Sequence, residues 1–449
     1  MRNTMQNNLH LENMLAYLHI KPSQIERATQ IIQRDFSSGW LGNLSAKYKK
    51  GEVRSLVSYH PIYHGILSGI VNPMTLDVIE LANYLDYLRK ALPKTSSELL
   101  HIVHELKSSD KFYSYLFQLM VSARFCLVSQ DFLLEPKILN KQPDMRFRYL
   151  ATEFVIETTR PNLPMIRVKL EDLMERVFFS LEKKVDNKVS TGIDIKVVIK
   201  NINILKRETE LRKAIKQLME KRDGIIYSND FDASWYKYTG TVNEFQSHHQ
   251  SLAAQGKELA FVIGKTNIIP FPPRMDTASL KPSITLVVDL SQIEENLLQD
   301  VADKIDIAAQ EKIEQLRSLM GNEREIYIFI DIGAIATAQY IDVDRILPRL
   351  NANIFNKYPG ALSGIVLAKR VWDDNYRRYR LAYRSLFSPG NKRIENYLIF
   401  RALAQIESRN DFITGIVGWV EAENVPCPCL SGKVYKDCCI DKPVIWKGL

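Results

Sequence analysis

The rhythm of apolar positions changes about a quarter of the way along the chain. Up to about residue 125 they recur every three or four residues, as in ATQIIQRDF (28–36), TLDVIELANYLDYLRKAL (75–92) and SELLHIVHELKSS (97–109). Pro22, Pro61, Pro73 and Pro93 punctuate these runs, so residues 1–108 read as a helical N-terminal region. From about residue 130 the pattern shortens into runs rich in Val, Ile, Phe and Leu: DFLLEPKIL (131–139), MRFRYLA (145–151), EFVIETT (153–159), ITLVVDL (284–290), EIYIFIDIGAI (325–335) and LSGIVLAKRVW (362–372). Between them lie helical stretches such as LEDLMERVFFSLEKK (170–184), RETELRKAIKQLMEKR (207–222) and LLQDVADKIDIAAQEKIEQLRSLM (297–320). This alternation predicts an α/β architecture, a mixed sheet flanked by helices.

Composition narrows the class. At 449 residues, with 46% hydrophobic and 25% charged residues, the chain has the make-up of an ordinary globular protein of two or three domains. A net charge of +8 favours an anionic partner such as nucleic acid. The opening MRNTMQNNLHLENML lacks the apolar core of a secretory signal, and YLFQLMVSARFCLVSQ (115–130) is broken by Gln118 and Arg124. No membrane association and a cytoplasmic location are therefore expected.

Candidate chemistry begins in QPDMRFRYLATEFVIETTRP (142–161), which reads as two strands folded together by a turn near Leu150 to Thr152. Such a hairpin brings Asp144 beside Glu157, and two converging carboxylates suit Mg²⁺ or Mn²⁺, which take oxygen ligands and keep waters for chemistry. The acid after Pro143, the strand ending in Glu157, and the order helix, three strands, helix, strand resemble the core of the PD-(D/E)xK nuclease superfamily. That resemblance covers roughly residues 110–160 and 295–372. It implies a restriction-endonuclease-like domain over 109–422 with an insertion at about 165–285, and metal-dependent hydrolysis of DNA or RNA phosphodiesters. Two positions depart from the family: Thr159 stands where a lysine is usual, and Gln118 where many members carry a glutamate. Lys304, Lys312 and Gln315 share one helix face, and the resemblance implies that Lys304 or Lys312 replaces the missing lysine. The alternative is a scaffold that binds nucleic acid or protein and has lost its chemistry.

Near the C-terminus, NVPCPCLSGKVYKDCCIDKP places Cys427, Cys429, Cys438 and Cys439 at C-x-C-x8-C-C spacing. Four thiolates close a tetrahedral, structural Zn²⁺ site, and metal binding would supply the folding free energy of so small a segment. The run closely resembles the SEC-C motif, which implies a zinc knob over 423–449 that docks to a protein or ribosome partner. Arg377, Arg378 and Arg380 interleave with Tyr379, a pattern suited to phosphate contact and base stacking. HIVHEL (101–106) reads as a surface helix, because its order differs from the zinc-protease motif. Cys126 reads as a small buried residue.

Overall fold

Proline opens two of the long helices near the N-terminus. The computed structural model describes residues 20–49, 60–68, 73–92, 97–149, 152–161, 165–182, 193–241, 244–245, 248–249, 258–264, 282–319, 324–334, 348, 350–358, 362–373 and 378–387. Helix α1, Pro22–Asp35, starts at a residue whose missing N–H is not needed in the first turn, and the Lys21 backbone N–H donates to Gln24 Oε1 at 2.6 Å to cap it. Its apolar stripe of Ala28, Ile31 and Ile32 is buried. Helix α2, Ser38–Lys49, follows, and α3, Pro73–Ala91, again opens on proline. In α3 Val78, Leu81, Ala82, Leu85 and Leu88 are buried together with Tyr84 and Tyr87, so this helix is enclosed on nearly every side. Arg27 and Arg34 of α1 reach Asp86 of α3 at 3.2 and 2.9 Å. Helices α4, Ser97–Glu105, and α5, Ser109–Val128, complete the set. Cys126 is buried in α5 as expected, and burial pushes its thiol up to about 12, which keeps it protonated and inert.

The described residues fall into two units. One is drawn from Met1–Arg160, Ala309–Asp331 and Phe355–Leu449, the other from Pro161–Ala308 and Ile332–Ile354. In the first, strands β1 (Gln130–Leu134), β2 (Met145–Tyr149), β3 (Thr152–Thr159), β9 (Glu325–Asp331), β10 (Gly364–Asp373) and β11 (Arg378–Phe387) form one sheet in that order. The β1-β2-β3 meander is antiparallel, β3 and β10 flank β9 in parallel, and β10 and β11 form an antiparallel hairpin. All seven residues of β9 are buried, which is what a parallel strand between two neighbours requires and why EIYIFID is a nearly unbroken apolar run. Phe125 of α5 stacks on Phe147 with ring centres 4.7 Å apart, and Phe147 lies 5.4 Å from Phe154. The N-terminal helices and the sheet share one core, running from Ile20 through Phe125 and Phe329 to Ala368.

The second unit has a core and a mixed sheet of its own. Strands β4 (Ile193–Ile199), β5 (Ile225–Tyr227), β6 (Phe231–Trp235), β7 (Glu258–Gly264) and β8 (Pro282–Asp289) lie in the order β5-β6-β4-β8-β7. Helix α6, Met165–Glu182, packs Leu170, Leu173 and Val177 into that core, and α7, Glu208–Lys221, adds Leu211, Ala214, Ile215 and Leu218 at helical spacing. Helix α8, Glu294–Leu316, contributes its earlier part to this unit and Ala309 onward to the first. The fold is thus mixed α/β, two mixed sheets flanked by helices. Among the described residues no helix is long and apolar enough to cross a membrane.

Candidate acidic cleft

Strand register sets the acid pair. Met145 lies opposite Ile156, so Asp144, one residue before β2, falls opposite Glu157. The Asp144 backbone N–H donates to Glu157 Oε2 at 3.2 Å. Thr158 donates twice to Asp144 Oδ2, from its backbone N–H at 2.6 Å and from its hydroxyl. From α8, Lys312 Nζ comes to 2.5 Å from Glu157 Oε1. Lys304, eight residues earlier on the same helix, belongs to the second unit.

These groups line a cleft of about 400 Å³ that also includes His101, Tyr115, Glu135 and Gln315. Glu157 is buried, Asp144 partly so, and the Lys312 side chain keeps 21% of its surface exposed. Two carboxylates and one ammonium meet here. Burial, then repulsion from Asp144, pushes the Glu157 carboxyl up to about 8, partly offset by Lys312. The Asp144 carboxyl is raised as well, chiefly by burial, with Lys312 and the Thr158 bonds opposing. The Lys312 ammonium is held above its ordinary range because attraction to Glu157 and Asp144 outweighs the cost of burying it. Burial, with the nearby carboxylates, also pushes Tyr115 up.

A divalent cation suits this charge balance. Asp144 Oδ1 has no hydrogen-bond partner among the described residues, and a cation would relieve the buried repulsion of the pair. Among the described residues no three His, Cys, Asp or Glu side chains are grouped to hold a metal. An ion held by two carboxylates would complete its shell with water and substrate oxygens, as Mg²⁺ commonly does.

The cleft includes residues that the chain's local pattern did not single out. Glu135, at the end of β1, accepts from Gln118 Nε2 at 3.2 Å and lies 2.9 Å from His101 Nδ1. Gln118 therefore binds an acid at the position where a glutamate was sought. His101 sits on a surface helix, as its sequence context suggests, yet it lines the cleft. The sequence signal was faint: a lone glutamate before Pro136 in a strand-like run. Thr159 ends β3 in place of a lysine, and Arg160 beyond it lies 3.6 Å from Asp331 and over the Tyr113 ring.

The other expected site residues lie elsewhere. Arg378, Tyr379 and Arg380 form the start of β11, in register with Asp373, Trp372 and Val371, with side chains outside those described. Arg377 and the four tail cysteines lie outside the described residues.

A SEC-C motif model matches residues 424–440, a stretch containing Cys427, Cys429, Cys438 and Cys439. Such motifs are commonly zinc-binding. No curated protein matches the chain. The nuclease resemblance has no support from a family match or a homologue.

Proposed function

We propose that the first unit is a metal-dependent phosphodiesterase acting on DNA or RNA, with its reaction centre at Asp144, Glu157 and Lys312. One observation carries the reading: a lysine from α8 and two acids from a hairpin meet in one cleft, with Lys312 Nζ 2.5 Å from Glu157 Oε1. The element order supports it, since α5, three antiparallel strands and, after the second-unit elements, α8 and a parallel β9 follow an order similar to that of the restriction-endonuclease-like core. A divalent ion held by Asp144 and Glu157 would polarise a phosphoryl oxygen and activate water. Lys312 stabilises the negative charge that develops on the phosphate and orients the attacking water, the role vacated at Thr159. Thr158 fixes Asp144 through two hydrogen bonds, so the pair is preorganised.

The chain's net charge of +8 is consistent with a polyanionic substrate. In the same proposal the four tail cysteines hold a structural zinc and dock a protein or ribosome partner. Lys304 is a second lysine on the α8 face, and Arg377, Arg378, Tyr379 and Arg380 are a backbone and base contact surface.

The test is cleavage of labelled single- and double-stranded DNA and RNA with Mg²⁺ or Mn²⁺. The parent is expected to cut at least one of these substrates, and a folded Asp144→Ala, Glu157→Ala double variant to cut none. Equal cleavage by both proteins removes the site from the reaction. An inactive parent that still binds nucleic acid favours the binding scaffold, the reading to which Thr159 points.

A further inference from the structure

Glu135 adopts a backbone conformation that glutamate rarely takes, and its side chain holds a histidine. Its φ of +44° lies in the left-handed region, which is strained for a residue with a Cβ. The side chain is nonetheless buried, and side chains from two helices engage both of its oxygens. Gln118 of α5 donates to Oε1 at 3.2 Å, and His101 Nδ1 of α4 lies 2.9 Å from Oε2. The Glu135 backbone N–H donates to the Asp144 carbonyl at 2.8 Å, which ties this bend to the acid pair. A carboxylate engaged on both oxygens is well placed to fix an imidazole ring. His101 is half-exposed, packs edge-on to Tyr115 with ring centres 6.4 Å apart, and lines the same cleft as Asp144, Glu157 and Lys312. With Nδ1 on Glu135, its Nε2 has no partner among the described residues and is the nitrogen left to meet a ligand.

We propose that His101 is a catalytic residue of the cleft, the proton donor to the departing oxygen, and that Glu135 and Gln118 are its positioning residues. The inference rests on the phosphodiesterase reading above. In the step, a water oxygen forms a bond to phosphorus as the bond to the leaving ester oxygen breaks. The imidazolium of His101 gives its Nε2 proton to that oxygen, and the attacking water's proton passes to solvent water. Water and one phosphodiester become one alcohol and one phosphomonoester, and His101 is reprotonated from solvent.

Leaving-group dependence tests the assignment. The parent, His101→Gln and Glu135→Gln are compared with Mg²⁺ on an oligonucleotide and on a nucleoside p-nitrophenyl phosphodiester, whose leaving group departs without a proton. His101→Gln is expected to lose about 10²- to 10⁴-fold on the oligonucleotide and less than about tenfold on the nitrophenyl ester. Glu135→Gln should show the same selectivity with a smaller loss, which a merely structural effect would not produce. Thermal unfolding checks that each variant is folded, and His101→Asn repeats the comparison if His101→Gln is not. Equal losses on the two substrates, or none, overturn the role of His101 while leaving the phosphodiesterase reading in place. A parent that cleaves neither substrate overturns both.

Discussion

At Glu157 the folded state raises proton affinity, and this fixes how stability depends on pH. An unfolded glutamate titrates near 4.3, whereas the folded carboxyl is pushed up to about 8 by burial and by Asp144. Between those values the folded chain binds more protons than the unfolded one. The contribution is therefore fully present below the unfolded value and is lost as pH rises through the folded one. The midpoint of thermal unfolding is expected to fall between pH 5 and pH 8, and Glu157→Gln should flatten that slope. Mg²⁺ should raise the midpoint more at pH 8 than at pH 5, because it competes with the proton for the same pair. At one hundred times its dissociation constant, a ligand specific to the folded state adds about 2.7 kcal/mol. No Mg²⁺ response at pH 8 in the parent would argue against a metal at Asp144 and Glu157. Lys312→Met removes the only ammonium contacting Glu157 among the described residues. It should cost about 2 kcal/mol at pH 8, less than loss of a fully buried partner because Lys312 is partly exposed, and less again at pH 5.

Among the elements, α7 carries a testable strain at its end. Arg222 caps it with φ +56°, while its backbone N–H donates to the Leu218 carbonyl at 2.7 Å. Glycine takes this left-handed position without meeting its own Cβ, and Arg222→Gly should stabilise the second unit by about 0.5–1 kcal/mol, read as a higher unfolding midpoint. A lower midpoint would mean that the exposed arginine side chain contributes more than the strain costs. Elements of this kind were legible in the sequence because their signals are local. The 3.6-residue rhythm of α7, the apolar run of β9 and the pairing of MRFRY with EFVIETT follow from periodicity within a few residues. Register then carried Asp144 to Glu157, and helical spacing put Lys312 on a face with Gln315. Glu135 and His101 were not legible in this way. Their pairing joins residues 34 apart and depends on a left-handed turn before Pro136 that no periodicity encodes. The sharing of one core between the N-terminal helices and the sheet was hidden for the same reason, since Phe125 meets Phe147 and Phe329 only after the strands have paired.

For the whole molecule, the two proposed metal sites belong to different chemistries. Among the described residues one core cluster runs from Ile20 to Ala368 and another from Leu170 to Leu297. The four tail cysteines lie far along the sequence from Asp144 and Glu157, inside the matched SEC-C stretch. If these thiolates hold zinc and the acid pair holds magnesium, the two metals differ in chemistry: sulfur donors select zinc, and hard carboxylate oxygens select magnesium. Their removal should then be independent. The purified chain is expected to carry about one zinc per molecule, following the one-ion Cys₄ arrangement of structural zinc sites. Cys438→Ser combined with Cys439→Ser should lower that content well below one while leaving the Mg²⁺-dependent rise in unfolding midpoint unchanged. Conversely, the Asp144→Ala, Glu157→Ala double variant should lose the magnesium response and keep its zinc. Metal content by mass spectrometry and melting with and without Mg²⁺ read both arms. Loss of the magnesium response on removing the two cysteines would show that the tail supports the cleft, and docking would then have to be sought within the chain itself. Zinc content unaffected by the cysteine changes would place the ion elsewhere and withdraw the SEC-C stretch as its site.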